Sequence, residues 1–158
     1  MNIHFRLNTN LVTFEADADE RLLTVLRRDF KLLTVKKSCM QGVCGTCMVL
    51  LDDRPVCSCM VPVFTADGRD VITLEYFETT AEYKTIIYAF EQQGINLCGF
   101  CTAGIVFTAY HLLQKKRPLT YEHIYDAYVG ALCNCTTIEN ISSALKRLST
   151  ERKRQPYG

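Results

Sequence analysis

The stretch Cys39-Met40-Gln41-Gly42-Val43-Cys44-Gly45-Thr46-Cys47 sets three thiols within nine residues, and Cys59 follows after a gap of eleven. Thiolates at this density suit soft metal centres. Gly42 and Gly45 let the chain curl around a bound core and turn backbone N–H groups toward sulfur that carries negative charge. Outward from this loop the sequence reads as sheet. Residues 48–51 and 55–58 alternate around Asp52-Asp53-Arg54, and residues 2–7 and 11–15 alternate around Asn8-Thr9-Asn10, so two hairpins with three-residue turns are expected. A further strand, Val71-Ile72-Thr73-Leu74-Glu75, follows the turn signal Asp67-Gly68. Between the hairpins, Leu22, Leu23, Val25, Leu26 and Phe30 fall at near-helical spacing within residues 19–30, with Arg27 and Arg28 outward. This half is a small mixed sheet with one packed helix.

From about residue 79 the period becomes helical. Tyr83, Ile86, Ile87 and Phe90 follow helical spacing, Thr79 and Thr80 offer N-caps, and Gly94 ends the helix. Residues 103–115, 121–131 and 138–149 supply three more helices, which together make a small four-helix bundle. The expected division is 1–78 and 79–158, meeting near residues 76–80 without a linker. The tail Glu151-Arg152-Lys153-Arg154-Gln155-Pro156-Tyr157-Gly158 is basic and has no apolar face, so it reads as a solvated terminus or a docking tail for an acidic surface. Lys115-Lys116-Arg117 sits at a helix C-terminus, where cations are favoured.

A chain of 158 residues can bury a sizeable core, and 18 basic against 17 acidic residues leave a net charge of +1, which argues against a nucleic-acid partner. With 48% hydrophobic and 22% charged residues, and no apolar run of membrane-spanning length, it reads as globular and not membrane-bound. The N-terminus lacks the features of a signal peptide, so a cytoplasmic location is expected. In a reducing compartment, nine closely grouped cysteines are metal ligands or reactive thiols more often than disulfides.

Eight of the nine form two groups. Cys39, Cys44 and Cys47 have the C-x4-C-x2-C spacing of plant-type ferredoxins, with Cys59 as fourth member after a gap short enough for one hairpin. The second group is Cys98-Gly99-Phe100-Cys101 and Cys133-Asn134-Cys135, each pair just ahead of a helix, where an anionic core is favoured. Zinc also accepts four cysteines at such spacing, and Cys98-Gly-Phe-Cys101 alone resembles a disulfide-exchange motif, though without the strand and crossover such chemistry uses. Cys57 is left over and reads as a packed thiol or an alternative ligand. His4, His111 and His123 join no catalytic spacing, and no phosphate-binding glycine loop or nucleophile elbow is present, so no catalytic residue is expected on this chain.

The Cys39–Cys47 loop, Cys59, Cys98-Gly-Phe-Cys101-Thr102 and Cys133-x-Cys135-Thr136 together resemble the small iron–sulfur subunit of the xanthine dehydrogenase family of molybdenum hydroxylases, over nearly the whole chain. The resemblance implies an α+β architecture: a β-grasp ferredoxin-like domain with one [2Fe-2S] cluster on Cys39, Cys44, Cys47 and Cys59, then a helical domain with a second on Cys98, Cys101, Cys133 and Cys135. It implies partners as well, a large subunit that carries a molybdopterin cofactor nearest the helical-domain cluster and a medium subunit whose FAD faces the other. Electrons would leave the molybdenum site one at a time through both clusters to the flavin. The other readings are a free-standing two-cluster carrier and a zinc-stabilised interaction module.

Departures from the family pattern gather beside the second group. The Gln that usually precedes the C-G-x-C pair, and whose amide reaches the molybdopterin, is Leu97, which donates nothing. The usual Pro after Cys-Thr is Ala103, the Arg between the last cysteines is Asn134, the preceding Asn is Ala131, and the following Gly-Tyr is Thr137-Ile138. These changes imply intact clusters and an altered contact to the pterin.

Overall fold

The computed structural model describes residues 1–115, 118–131 and 133–154. Its first half is a five-stranded sheet made of β1 (Asn2–Leu7), β2 (Asn10–Glu15), β3 (Met48–Leu51), β4 (Arg54–Cys57) and β5 (Asp70–Ile72), in the order β2-β1-β5-β3-β4. All neighbours are antiparallel except β1 and β5, which pair in parallel through Arg6 with Asp70 and Leu7 with Val71. Helix α1 (Leu22–Arg28) covers one face with Leu22, Leu23, Val25 and Leu26, all buried against Ile3, Phe5, Val49 and Val71. Phe5, Phe14 and Phe30 close this core with edge contacts at 5.4 and 5.5 Å. Burying side chains of this size contributes about 1.5–3 kcal/mol each.

Both hairpins form, but each turn has two residues where three were expected. Asn8 and Thr9 have φ of 49° and 74°, and Asp52 and Asp53 have 47° and 64°. Positive φ at both central positions is the turn whose twist matches paired strands, although the usual glycine is absent. Tertiary bonds hold the unfavourable conformations. The Thr73 N–H donates to Asn8 Oδ1 at 2.8 Å, and the Asp70 N–H donates to Asp52 Oδ1 at 2.9 Å.

The expected strand 71–75 ends at Ile72, and a one-turn helix, α2 (Leu74–Phe77), replaces its last residues. Leu74 and Phe77 need to face the helical core, which a continued strand would not allow. Phe77 packs on Phe107 and Tyr110, with ring centroids at 5.1 and 5.0 Å. The bundle itself is α3 (Ala81–Glu91), α4 (Thr102–Gln114), α5 (Tyr121–Tyr128) and α6 (Ile138–Arg154). Thr80 caps α3 and Thr120 caps α5, each accepting from the backbone N–H three residues on. Helix α6 runs through Arg154, so the first part of the basic tail is helical; residues 155–158, and Lys116 and Arg117 of the other basic run, lie outside the described residues.

The two halves share buried residues. Leu50 of β3 belongs to the helical core, and Met48 and Ile72 pack against it. At the far end of the interface, Asp53 accepts hydrogen bonds from Tyr110 Oη (2.9 Å) and Gln114 Nε2 (3.1 Å) of α4. The interface therefore continues one core into the next. Among the described residues no helix is long and apolar enough to cross a membrane.

Candidate metal centres

The first thiol group lies where the 39–47 loop leaves the core and β4 returns to it. Met40, Gly42 and Gly45 adopt φ of 58°, 72° and 71°, which winds the loop around a small volume and points peptide N–H groups inward. The N–H groups of Gln41 and Cys44 lie 3.4 and 3.5 Å from Cys39 Sγ. Those of Cys44, Gln41 and Val43 together hold the Cys39 thiol down to about 6. Gly42 also has no room for a side chain, since a Cβ there would stand 2.7 Å from Met60 Cγ. Arg21 donates to the Met40 carbonyl and Arg27 to that of Val35, anchoring both ends of the approach to the loop.

Cys44, Cys47 and Cys59 are buried. Cys47 is pushed up, first by contact with Cys57 and then by burial; Cys59 is pushed up to about 11 by burial and then by Cys47. Ser58, fully buried between the last two cysteines of the sequence group, donates its hydroxyl to the Cys47 carbonyl at 2.7 Å. This bond ties β4 to the loop. Cys57, read from the sequence as a packed thiol or an alternative ligand, packs against the sheet-side core and donates to the Gly42 carbonyl at 3.6 Å. It fastens the loop tip to β4.

The second group is assembled from two connections of the bundle. Cys101 occupies the cap position of α4, and Gly99 beside it has φ of 93°. Gly130, with φ of 90°, turns the chain out of α5 toward Cys133, and Cys135 lies three residues before α6. Both pairs precede helix N-termini, as the sequence indicated. The Phe100 N–H and then Cys135 hold Cys98 below the usual thiol range, whereas burial and Cys133 push Cys101 up to about 11. Leu97 packs against the helical core and lines a cleft of about 350 Å³ with Thr34, Glu78, Tyr83, Glu91 and Thr102.

The eight sequence-selected cysteines act on one another in two separate groups, Cys39, Cys44, Cys47 and Cys59 with Cys57 against Cys47, and Cys98, Cys101, Cys133 and Cys135. Among the described residues no three Cys, His, Asp or Glu side chains converge to hold a single ion. Four thiols in each group would serve a two-iron core, two to each iron. Buried thiols held high by burial and by one another become stable thiolates only against a compensating cation, and N–H donors directed at sulfur favour the anionic core that results. The residues fit the group.

A sheet-side site in a glycine loop and a bundle site at helix N-termini suit an iron–sulfur protein of two-cluster type. Comparison with known proteins agrees. Residues 5–72 match the 2Fe-2S iron-sulfur cluster binding domain, and residues 73–146 match the [2Fe-2S] binding domain. The chain is 36% identical over 152 residues to the nicotinate dehydrogenase small FeS subunit of Eubacterium barkeri, covering 96% of each. It is also 36% identical over 121 residues to the xanthine dehydrogenase iron-sulfur-binding subunit of Escherichia coli O157:H7, covering 75% of this chain and 76% of that one. Quinoline 2-oxidoreductase from Pseudomonas putida 86 contains a chain of the same fold, with a TM-score of 0.83, 29% identity and coverage of 99% and 97%. The chain belongs to the small iron–sulfur subunits of the xanthine dehydrogenase family of molybdenum hydroxylases. It carries two [2Fe-2S] clusters and serves electron transfer in an oxidoreductase of several subunits.

Proposed function

We propose that Cys39, Cys44, Cys47 and Cys59 hold the first cluster and Cys98, Cys101, Cys133 and Cys135 the second. What supports this is the gathering of the eight thiols in two groups, in each of which a thiol receives backbone N–H groups, Cys39 in the first and Cys98 in the second. When bound, each cluster takes up and releases one electron at a time. What this chain supplies is fixed spacing, burial and N–H groups that stabilise negative sulfur, which together tune the potentials. Its two units, 1–78 and 79–158, separate the two sites.

The order of transfer follows the family architecture: from a molybdopterin site in a large subunit to the helical-domain cluster, across to the sheet-side cluster, and on to FAD in a medium subunit. The exposed position of Cys98 supports placing the large subunit against the bundle site. Relatives named for nicotinate, nicotine and quinoline support a nitrogen heteroaromatic as the substrate of the complex. Leu97 leaves the pterin contact to a group of the large subunit. A cytoplasmic location fits the thiol-rich sites.

Iron analysis and low-temperature electron paramagnetic resonance (EPR) of the dithionite-reduced complex test the assignment. About four iron and four sulfide per chain and two distinct [2Fe-2S] signals are expected. A colourless chain holding only zinc would overturn it.

A further inference from the structure

Gly104 lies inside α4, one turn beyond Cys101, and unlike Gly42, Gly45 or Gly130 it has no positive φ. Glycine in a helix interior is costly relative to alanine, so conformation gives no reason for it. Close approach does. A Cβ on Gly104 would stand 2.8 Å from the Gly45 carbonyl oxygen and 3.0 Å from its carbon, and Gly45 lies between Cys44 and Cys47. The backbone of one cysteine loop thus rests directly on the helix that starts at the other. A second contact repeats the arrangement: a Cβ on Gly130, three residues before Cys133, would stand 3.1 Å from both the Cγ1 and the carbonyl oxygen of Val43. Backbone contacts of this kind cannot relax as a flexible side chain does.

We propose that the Gly104–Gly45 contact, buttressed by Gly130 on Val43, sets the distance between the two cluster sites, and that Gly104 is a positioning residue for electron exchange between them. The inference rests on the ligand assignment above. The step itself moves one electron: one cluster is oxidised as the other is reduced, with no bond formed or broken and no proton transferred. Tunnelling falls exponentially with the gap, so a rigid spacer of bare backbone keeps the step fast.

The test is Gly104→Ala in the purified complex, with Gly94→Ala, which has φ of 71° but open space around its Cβ, as the control for general strain. The readouts are iron and sulfide content, the EPR signal of each cluster, the magnetic splitting between the two reduced clusters, and the rate at which one reduces the other. Expected for Gly104→Ala are wild-type iron content and individual signals, a reduced splitting and a several-fold slower exchange, with a larger change for Gly104→Val and none for Gly94→Ala. Unchanged splitting and rate would overturn the proposal. Loss of either cluster in Gly104→Ala would overturn it too, because the contact would then serve assembly. Absence of two signals in the wild-type complex would instead strike the ligand assignment.

Discussion

The two thiol sites solve the same problem with unequal exposure. On the sheet side, Cys44, Cys47 and Cys59 are only 6%, 3% and 1% exposed, while Cys39 is half-buried at the open edge of the loop beside the exposed Val43 and Met60. On the bundle side Cys98 is exposed and Cys101, Cys133 and Cys135 are half-buried, with Phe100 and Val129 standing out beside them at 50% and 63%. The first site encloses three of its four thiols and opens at Cys39, whereas the second encloses none and leaves more of its thiols for a partner to cover. The contrast follows from construction. A loop of nine residues folded over a strand can enclose its own contents, whereas two helix approaches meeting at their N-termini present the metal site at the end of the bundle.

Cysteine substitution gives the largest effect with which to break this comparison. Cys47→Ser should abolish the sheet-side EPR signal and about half of the iron while leaving the other signal in place; Cys98→Ser should do the reverse. Cys57→Ala should keep the full iron content, because that thiol fastens Gly42 and is not among the assigned ligands. A chain that lost a cluster on Cys57→Ala would show that the leftover cysteine had been misread.

The next effect is kinetic. In the isolated subunit, chelator or oxygen should remove the bundle-side cluster several-fold faster than the sheet-side one, and adding back the partner subunits should narrow the gap. Equal rates of loss, followed by visible absorbance and EPR together, would mean that exposure of the thiols does not govern access.

The grouping of the cysteines, both hairpins and all four long helices were legible because each is written in local spacing. What was not legible depends on residues distant in sequence. The two-residue turns lack glycine and are held by Thr73 and Asp70, some twenty to sixty-five positions away. Strand 71–75 was shortened because Leu74 and Phe77 serve the second core, which alternation alone could not reveal. Cys57 was read as a packed thiol, but its bond to the Gly42 carbonyl shows only in the fold. The sequence showed Gly45 and Gly104 separately, but only the fold shows them in contact. Chemistry was read from residue type and spacing, whereas the coupling of the two halves is a property of their packing.

That coupling offers a smaller effect. Asp53 joins the β3–β4 turn to α4 through Tyr110 and Gln114, and burial and then Asp53 push the Tyr110 hydroxyl up to about 12. Asp53→Ala removes both bonds at a partly exposed site, so a loss of about 1 kcal/mol in unfolding free energy is expected. Because the clasp lies far from either thiol group, both EPR signals should be unchanged. A changed bundle-side signal would show that the halves are held in place less by Gly104 and Gly45 than by this turn.

The smallest effect is a pH dependence confined to the approach to the sheet-side loop. Glu75 on α2 accepts from the Thr34 N–H at 2.9 Å and from its hydroxyl, five residues ahead of Cys39. Desolvation pushes the Glu75 carboxyl up, but the Thr34 bonds outweigh it, and the net position is below the ordinary 4.5. A carboxylate held low in the folded chain stabilises it fully above 4.5, and the contribution fades as pH falls through the folded value, because the unfolded chain takes up the proton first. Below about pH 5, and down through the folded value, wild-type thermal stability should therefore decline slightly more than that of Glu75→Gln, which is less stable at neutral pH and lacks this titration. Protection of the Thr34 amide, taken relative to its intrinsic exchange rate at each pH, should fall over the same interval, since protonation weakens the acceptor. Parallel pH profiles for the two proteins, with unchanged protection of the Thr34 amide, would show that Glu75 does not anchor the loop, and the hold on the first site would then rest on Arg21, Arg27, Cys57 and Ser58.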